Sequence, residues 1–505
     1  MRQSSGIKRI GVIGLGTMGR GIAQLAAQAG LQTVVYDMSA DMAEQAMSAL
    51  RAVWQRMEAK GKLPQGRAEA YEGHITLAHT LAEFQDCDVV VEAIVENLEI
   101  KQQLFQKLEA ILAPDAIIAT NTSSLSVTAV AAACDHSERV VGWHFFNPVP
   151  LMRIAEVVRA EQTASWAVAA LSGLTQRMGH HPVPAVDMPG FVVNHAGRAY
   201  IPEGLRLLSE GIASHAEIDA IMKDCCGFRM GPFELLDLIG LDVAKMVMES
   251  LYDQYYQEPR FRITPLVAKK VAAGHLGRKT GQGFYRYEQG KVVVEPVPGH
   301  ASMAAGKIWV CNEHPELAAR VRQCLSSAGQ TLVDGAEPPA DALIVVTPVG
   351  LDVSTTCARN SYDYRRTVGI DAMFDLVRRR SLMFAPGVSE PCKAAAVGAF
   401  SADGAQLTLL RDSPGFVAQR MLAQIISIGC DIAQQRIAVP EDIDVAVKLA
   451  LGYPRGPFEF GESLGTARVL AVSDALFDAY RDPRYRASSW LRRRAQLGVP
   501  LHMPD

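Results

Sequence analysis

IKRIGVIGLGTMG, residues 7–19, is the stretch that decides the fold of the first part of this chain. The apolar run IKRIGVI has the character of a β-strand, and GLGTMG follows it at once, with Gly14, Gly16 and Gly19 in the spacing G-x-G-x-x-G. In such a loop the first glycine makes a tight turn, the second lets the backbone approach a pyrophosphate, and the third lets the helix pack on the strand. The stretch therefore predicts a nucleotide-binding strand–loop–helix unit.

The residues after the loop agree with this prediction. RGIAQLAAQAG reads as a helix that ends near Gly30, and LQTVVYD reads as a second strand that ends at Asp37. The free amides at the start of the helix can bind phosphate groups. Asp37, about twenty residues after the loop, can accept the ribose hydroxyls, and its charge favours NAD over NADP. The alternative is a glycine-rich turn in another kind of α/β unit.

Three more buried strands are predicted, and each is followed by polar residues. The strands are DCDVVVEAIVE (86–96), DAIIA (115–119) and VVGWHFF (140–146), and the polar residues at their ends are Glu96, Lys101, Asn121, Ser123, Ser124, His144 and Asn147. The carboxyl ends of parallel strands are where such sheets bind ligands. We therefore expect these side chains to share one ligand-binding edge.

His144 is the candidate general base. It opens HFFNPVPLMRIAE (144–156), and a returning strand could bring Glu156 beside its imidazole as the orienting partner that a base needs. The alternative is a packed core or surface histidine, since the chain has twelve. Asn194 follows Pro189 near a predicted helix start, so it either points into the cleft or caps the helix.

The chain repeats a helical module. Four pairs of matching segments are separated by the same 225 positions: DMPGF and DSPGF (from 187 and 412), GPFE (from 231 and 456), Asp219 and Asp444, and ESLYDQY and DALFDAY (from 249 and 474). A constant offset across four matches indicates a duplication.

An α/β pattern without the glycine loop precedes the second helical copy. KIWVC, ELAARVRQCLSSAG, DALIVVT and TVGID alternate strand and helix character, but CNEHPEL after the first strand contains no glycine, and Gln419 stands where Asn194 stands in the first copy. We interpret the second half as structural or partner-facing. The predicted domains are 1–186 (NAD-binding Rossmann), 187–287 (helical), 288–300 (linker), 301–408 (reduced Rossmann-like) and 409–505 (second helical copy).

The composition of the 505 residues is that of an ordinary globular protein. The formal net charge of −4 gives no electrostatic reason to expect nucleic acid or membrane surfaces as partners. No apolar run reaches the length of a membrane span, and the first residues do not resemble a signal peptide. The nine cysteines are scattered, without a CxxC pair, which favours reduced thiols in a cytoplasmic protein and no metal site.

Taken together, the motifs resemble those of the L-3-hydroxyacyl-CoA dehydrogenase family. GLGTMG, AIVENLEIK, NTSSLS, HFFNPVPLMRIAE, DMPGFVVN, GPFELLDLIGLD and RKTGQGFY carry the resemblance over residues 7–287. The second half is similar to the reduced Rossmann-like module and repeated helical domain of longer members. Those members include 3-hydroxyadipyl-CoA dehydrogenases of phenylacetate breakdown and 3-hydroxybutyryl-CoA dehydrogenases.

The resemblance implies a reaction and a set of roles. An NAD-dependent oxidation of (S)-3-hydroxyacyl-CoA to 3-oxoacyl-CoA is implied, with His144 as base, Glu156 as its partner, and Ser123 and Asn194 on the substrate oxygens. Lys60 is implied as a contact of the CoA phosphates. The implied NAD contacts are Gly14, Gly16, Thr17, Met18, Gly19, Asp37, Ile94, Val95, Glu96, Lys101, Ser123, Asn147 and Lys279.

Two other functions and two assemblies stay open at this point. The same cofactor fold could serve a dehydrogenase of free 3-hydroxy acids, or a nucleotide-binding protein without catalysis. The helical module could form a homodimer, or its second copy could complete a pseudo-dimer within one chain.

Overall fold

A computed structural model describes residues 6–293 and 299–505, which form two compact units. The first unit contains the residues up to 195 together with 435–451, and the second contains 196–434 and 452–505. The predicted succession of an α/β domain, a helical domain, a reduced α/β module and a second helical domain is confirmed. The five-part set of boundaries stays a prediction.

An eight-stranded sheet organises the described part of the first unit. Its strands lie in the order β3-β2-β1-β4-β5-β6-β7-β8, and neighbours are parallel except β6 and β7. The strands are β1 Arg9–Ile13, β2 Gln32–Tyr36, β3 Ile75–Leu77, β4 Val89–Glu92, β5 Ile117–Thr120, β6 Val140–Phe145, β7 Ile154–Arg159 and β8 His181–Val186. The helices are α1 Thr17–Gln28, α2 Ala40–Ala59, α3 Arg67–Glu72, α4 Leu98–Ile111, α5 Val127–Ala131, α6 Ser165–Arg177 and α7 Val193–Ala196, with α17 Pro440–Leu451 from the second helical copy.

Helices cover both faces of this sheet, as near-continuous apolar strands require. Val12 belongs to the cluster on one face and its neighbour Ile13 to the cluster on the other, because successive side chains of a strand point to opposite faces. The predicted strands at 7–13, 31–37, 86–96, 115–119 and 140–146 all exist, with shorter bounds.

The second unit begins with the first helical copy. Its helices are α8 Tyr200–Ser209, α9 His215–Cys226, α10 Pro232–Ile239, α11 Leu241–Gln254 and α12 Leu266–Ala272, followed by a hairpin of β9 Tyr287–Glu288 and β10 Lys291–Val292. The predicted linker at 288–300 starts within this hairpin, and its residues 294–298 lie outside the described residues.

A second sheet follows, in the order β12-β11-β13-β14-β15-β16. Its elements are β11 Lys307–Val310, α13 Pro315–Ser327, β12 Thr331–Val333, β13 Leu343–Val346, α14 Val353–Asn360, β14 Thr367–Ile370, β15 Arg379–Phe384, α15 Glu390–Ser401 and β16 Gln406–Arg411. The helices α16 Ala418–Gln434, α18 Pro457–Leu464, α19 Thr466–Tyr480 and α20 Ser489–Leu497 complete the unit. The sequence had indicated β11, β13 and β14 but not β12, β15 or β16.

The duplication extends to the backbone. Helices α9 and α17 begin 225 positions apart, at His215 and Pro440. The turns before the helical copies are also alike, with φ of 77° and 48° at Gly190 and Phe191 and of 75° and 49° at Gly415 and Phe416. A phenylalanine with positive φ is rare, so its recurrence shows that the two copies share one turn.

Within the second unit, the two helical copies contact each other through equivalent residues. The Arg260 guanidinium donates to the carbonyl of Arg486 at 2.6 Å, and the Arg484 guanidinium donates to the carbonyl of Arg262. Arg260 and Arg262 correspond to Arg484 and Arg486 in the repeat. Reciprocal contacts of this kind are the signature of a two-fold interface, here formed inside one chain.

One buried ion pair breaks this symmetry. Glu203 Oε1 accepts from Arg420 Nη2 at 2.7 Å and from the Tyr485 hydroxyl at 2.9 Å, and both charged side chains are buried. The residues in the equivalent positions of the other copy are Ile428 and His195. The ion pair therefore needs Glu203 from the first helical copy and Arg420 from the second.

Candidate active site

The antiparallel pair β6–β7 brings the predicted base and its partner together. In its register His144 lies directly opposite Glu156. His144 Nδ1 lies 2.6 Å from Glu156 Oε2, and the rings of Phe146 and Phe191 lie 4.4 and 5.7 Å from the imidazole. His144 is 5% exposed and Glu156 is fully buried. The expectation that a returning strand carries Glu156 to His144 is confirmed.

This contact fixes the tautomer of the imidazole. An ionised carboxylate only accepts hydrogen bonds, so Nδ1 carries the proton that points at Glu156. In the neutral ring the lone pair is then on Nε2. The pair can therefore accept one proton at Nε2, and the carboxylate stabilises the positive charge that results.

The second oxygen of Glu156 has a separate task. Glu156 Oε1 accepts hydrogen bonds from the backbone amides of Val192 and Val193, both at 2.9 Å. These amides lie at the start of α7, and Asn194 is the second residue of that helix. Glu156, and not Asn194, thus satisfies these amides. One carboxylate positions both the base and the helix turn that carries Asn194.

Glu96 holds the loop that contains Ser123. Glu96 Oε1 accepts from the Thr122 hydroxyl at 2.6 Å, from the Ser123 and Ser124 amides at 3.0 and 3.1 Å, and from the Ser124 hydroxyl at 2.9 Å. Burial acts to raise the pKa of Glu96. The Thr122 hydroxyl, the charge of Lys101, the Ser124 hydroxyl and the Ser123 amide together lower it by more, so the pKa of Glu96 falls below its usual value. Ser123 itself is exposed at the ligand edge.

A buried carboxylate that the sequence analysis did not identify lies behind this loop. Glu92, the last residue of β4, is fully buried and accepts from Lys101 Nζ at 2.8 Å on each oxygen. Lys101 is 1% exposed and also lies 3.3 Å from Glu96 Oε2. The available signal was an acidic residue inside the buried run VVVEAIV.

The glycine loop fits a dinucleotide. Gly14 has φ of 88° and donates to the carbonyl of Tyr36, and a Cβ on Gly19 would lie 1.7 Å from the Gly14 oxygen. A Cβ on Gly16 would meet no atom within 4 Å, so the backbone there borders open space that a pyrophosphate can enter. Asp37 accepts from the Leu15 and Ser39 amides at 2.8 and 3.0 Å, which orients its carboxylate at the end of β2.

The other predicted contacts lie in several places. Thr17 opens α1 and is exposed, Met18 follows it and is half-buried, and Val95, Asn147 and Lys60 are exposed. Ile94 is half-buried and donates its amide to Glu92 at 3.0 Å. Lys279 belongs to the second unit, where its ammonium pairs with Asp242 at 2.6 Å.

The second copy carries different residues at the equivalent positions. Asp371 lies opposite Ser381 in the β14–β15 pair, as His144 lies opposite Glu156 in the β6–β7 pair, and Gln419 stands 225 positions after Asn194. Gln419 is buried, with its amide nitrogen 3.0 Å from Asp371 and its oxygen accepting from the Gly350 amide at 2.8 Å. The second copy therefore has no histidine–glutamate pair at this place.

Over 6–293 and 299–505, no group of three or more histidine, cysteine or acidic side chains is arranged to hold a metal ion. In the same part of the chain, no helix has both the length and the apolar character needed to cross a membrane.

Comparison with known proteins identifies the family. A profile of the 3-hydroxyacyl-CoA dehydrogenase NAD binding domain matches residues 9–188, and the profile of the C-terminal domain matches twice, over 190–287 and 415–500. A 3-hydroxyadipyl-CoA dehydrogenase of Escherichia coli is 34% identical over 97% of this chain and 98% of its own. A probable 3-hydroxybutyryl-CoA dehydrogenase of Deinococcus radiodurans is 41% identical over 55% of this chain and 100% of its own.

A solved structure agrees over nearly the whole length. The crystal structure of a 3-hydroxybutyryl-CoA dehydrogenase from Escherichia coli has a TM-score of 0.86 and 32% identity, and covers 97% of this chain and 98% of its own.

Two glycines give a matched test of the nucleotide loop. Gly19→Ala places a methyl group against the Gly14 carbonyl, so we expect the free energy of unfolding to fall by about 1–3 kcal/mol. Gly16→Ala meets no protein atom, so stability should stay unchanged while NADH affinity falls at least tenfold, or about 1.4 kcal/mol. Urea unfolding and NADH fluorescence titration measure the two effects. Unchanged NADH affinity in Gly16→Ala would contradict this site.

Proposed function

This chain belongs to the 3-hydroxyacyl-CoA dehydrogenase family, and from that premise we propose that His144, Glu156, Ser123 and Asn194 are its catalytic and substrate-binding residues. The chain is an NAD-dependent dehydrogenase that oxidises 3-hydroxyacyl-CoA. The observation that carries the residue assignment is the buried contact of His144 with Glu156 at the ligand edge of the sheet.

The reaction needs one proton and one hydride to leave the substrate alcohol. His144 Nε2 takes the proton from the 3-hydroxyl oxygen, and the Glu156 carboxylate stabilises the imidazolium that forms. NAD, when bound, supplies the acceptor of the hydride from the same carbon. In the reverse direction the imidazolium returns its proton to the developing alkoxide.

The remaining residues bind and orient. We assign Ser123 to the 3-oxygen and Asn194 to the thioester carbonyl, since each can donate a hydrogen bond. The loop of Gly14, Gly16 and Gly19 would hold the pyrophosphate, and Asp37 the adenosine ribose. Thr17, Met18, Ile94, Val95, Glu96, Lys101, Asn147 and Lys279 are the further proposed NAD contacts, and Lys60 is the proposed contact of the CoA phosphates.

The acyl group is proposed to be short. Two relatives that match nearly the full chain are named for 3-hydroxyadipyl-CoA and 3-hydroxybutyryl-CoA. A preference for the dicarboxylate would assign the enzyme to phenylacetate breakdown, and a preference for the four-carbon thioester to short-chain β-oxidation. The nine free thiols support a reducing compartment, and we propose the cytoplasm.

For the assembly we propose the pseudo-dimer, because the helical copies already pair with each other in the second unit. An interface closed within one chain makes the unfolding midpoint independent of protein concentration. Arg420→Met leaves the buried Glu203 carboxylate with only the more distant Arg484 guanidinium, at 3.9 Å, and should lower the free energy of unfolding by about 3 kcal/mol. Urea unfolding at several protein concentrations measures both the dependence of the midpoint on concentration and the loss of unfolding free energy in Arg420→Met. A midpoint that rises with concentration would favour a homodimer.

Substitutions of the catalytic pair test the proposed function. His144→Gln removes the base and Glu156→Gln removes the charge that stabilises the imidazolium, so each should lower kcat by about 10²–10⁴-fold. His136→Gln is the control, because His136 is exposed with its side chain 63% accessible. NADH oxidation with acetoacetyl-CoA is the measurement. A folded His144→Gln variant with turnover near that of the wild type would overturn the assignment.

A further inference from the structure

A buried ion pair lies directly behind the Ser123 loop. The Glu92 carboxylate accepts four hydrogen bonds: two from Lys101 Nζ, one from the Thr120 hydroxyl and one from the Ile94 amide. The backbone carbonyl of Glu92 also accepts from the Asn121 amide at 2.9 Å. Because Glu92 is fully buried, it cannot touch substrate or cofactor. Its charge must act through its neighbours.

Lys101 transmits the effect of Glu92 toward the ligand edge. Its ammonium lies between two carboxylates, 2.8 Å from both oxygens of the buried Glu92 and 3.3 Å from Oε2 of the partly exposed Glu96. The shorter distances to Glu92 show that Lys101 is held mainly on the buried side. Glu96 Oε1 is thereby left to the four donors of the loop Thr122–Ser124.

Burial of two charged groups costs desolvation free energy, so an ion pair fills the interior less favourably than apolar side chains do. A buried ion pair can often be replaced by apolar groups without loss of stability, whereas removal of one partner is strongly destabilising. Packing alone therefore does not account for two charges at the end of β4. A role in positioning the Ser123 loop does account for them, because contacts run from Glu92 through Lys101 and Glu96 to the backbone of Ser123.

We propose that Glu92 is a positioning residue of the dehydrogenase reaction. It holds Lys101 back from Glu96 and so fixes the Ser123 loop in the geometry that receives the substrate oxygen. Without the Glu92 charge, Lys101 moves onto Glu96 and competes with the loop donors. This inference rests on the proposed function for the roles of Ser123, Glu96 and Lys101.

Glu92→Gln tests the proposal, since it removes the charge and keeps the shape. We expect kcat/KM with acetoacetyl-CoA to fall about tenfold, as for other partners that orient site residues. NADH affinity, measured by fluorescence without substrate, should fall several-fold, because Glu96 and Lys101 both shift. The pH midpoint of kcat/KM should stay unchanged, because the His144–Glu156 contact is untouched.

Asp403→Asn is the matched control. It removes the acidic partner of Arg380, a side chain 3% exposed, from a bidentate pair in the second sheet. We expect it to lower the unfolding midpoint and leave both NADH affinity and kcat/KM unchanged. A Glu92→Gln variant that behaves in the same way would show a structural role only and overturn the proposal.

A second variant guards against misfolding. Glu92→Gln with Lys101→Met replaces the ion pair by uncharged groups of similar size and should regain stability. Under the proposal, removal of the competing ammonium leaves Glu96 to the loop donors, so kcat/KM with acetoacetyl-CoA at saturating NADH is higher in the double variant than in Glu92→Gln. A double variant that regains stability while kcat/KM stays at the value of Glu92→Gln would overturn it. The NADH titration also separates this inference from the proposed function, because it reports on the loop even if the wild-type chain fails to reduce acetoacetyl-CoA.

Discussion

The Glu156 carboxylate is the constraint on which the candidate site depends. One of its oxygens lies 2.6 Å from His144 Nδ1, and the other accepts the two amides that open α7. The carboxylate is fully buried, so no water competes for either oxygen. The reversal of strand direction between β6 and β7 is what makes this possible. It puts Glu156 directly opposite His144, whereas a parallel neighbour would have carried the chain away from the ligand edge.

The same edge is organised by a second set of buried charges. Glu92, Lys101 and Glu96 form a line from the interior to the loop of Ser123. The site of the first unit therefore lies at strand ends. Three acidic side chains, Asp37, Glu96 and Glu156, accept backbone amides of the glycine loop, the Ser123 loop and the turn before α7. The second sheet keeps the reversed strand pair, with β14 antiparallel to β15, but has Asp371 and Ser381 in the places of the base and its partner. It keeps the backbone arrangement without the histidine–glutamate pair.

Much of the fold could be predicted because the residues that define each of these features stand close together in the sequence. The glycine loop, the buried strands and the polar residues at their ends are visible as short strings, and the repeat is visible as a constant offset. The pairing of His144 with Glu156 could be predicted because only a short reversal separates the two residues. The role of Asn194 could not be predicted from the sequence, because a helix cap and a cleft residue look alike there, and the acceptance of the Val192 and Val193 amides by Glu156 depends on a distant strand.

Other features depend on contacts that no short string contains. Glu92 reads as part of a strand, and its role appears only when α4 brings Lys101 beside it. Strand β12 was not identified, since it has only three residues, and β15 was not identified, since it opens with Arg379 and Arg380. The Arg379 guanidinium pairs with Asp224, which lies far away in the sequence, and the Arg380 guanidinium pairs with Asp403, which lies beyond the end of the strand.

The most direct measurement is NADH oxidation by the full chain with three substrates side by side: acetoacetyl-CoA, 3-oxoadipyl-CoA and free acetoacetate. We expect at least one thioester to be reduced with a kcat/KM orders of magnitude above that of the free acid. The ratio of the two thioesters then gives the acyl preference. Preference for free acetoacetate, or no oxidation with either thioester, would contradict the assignment of this site to 3-hydroxyacyl-CoA chemistry.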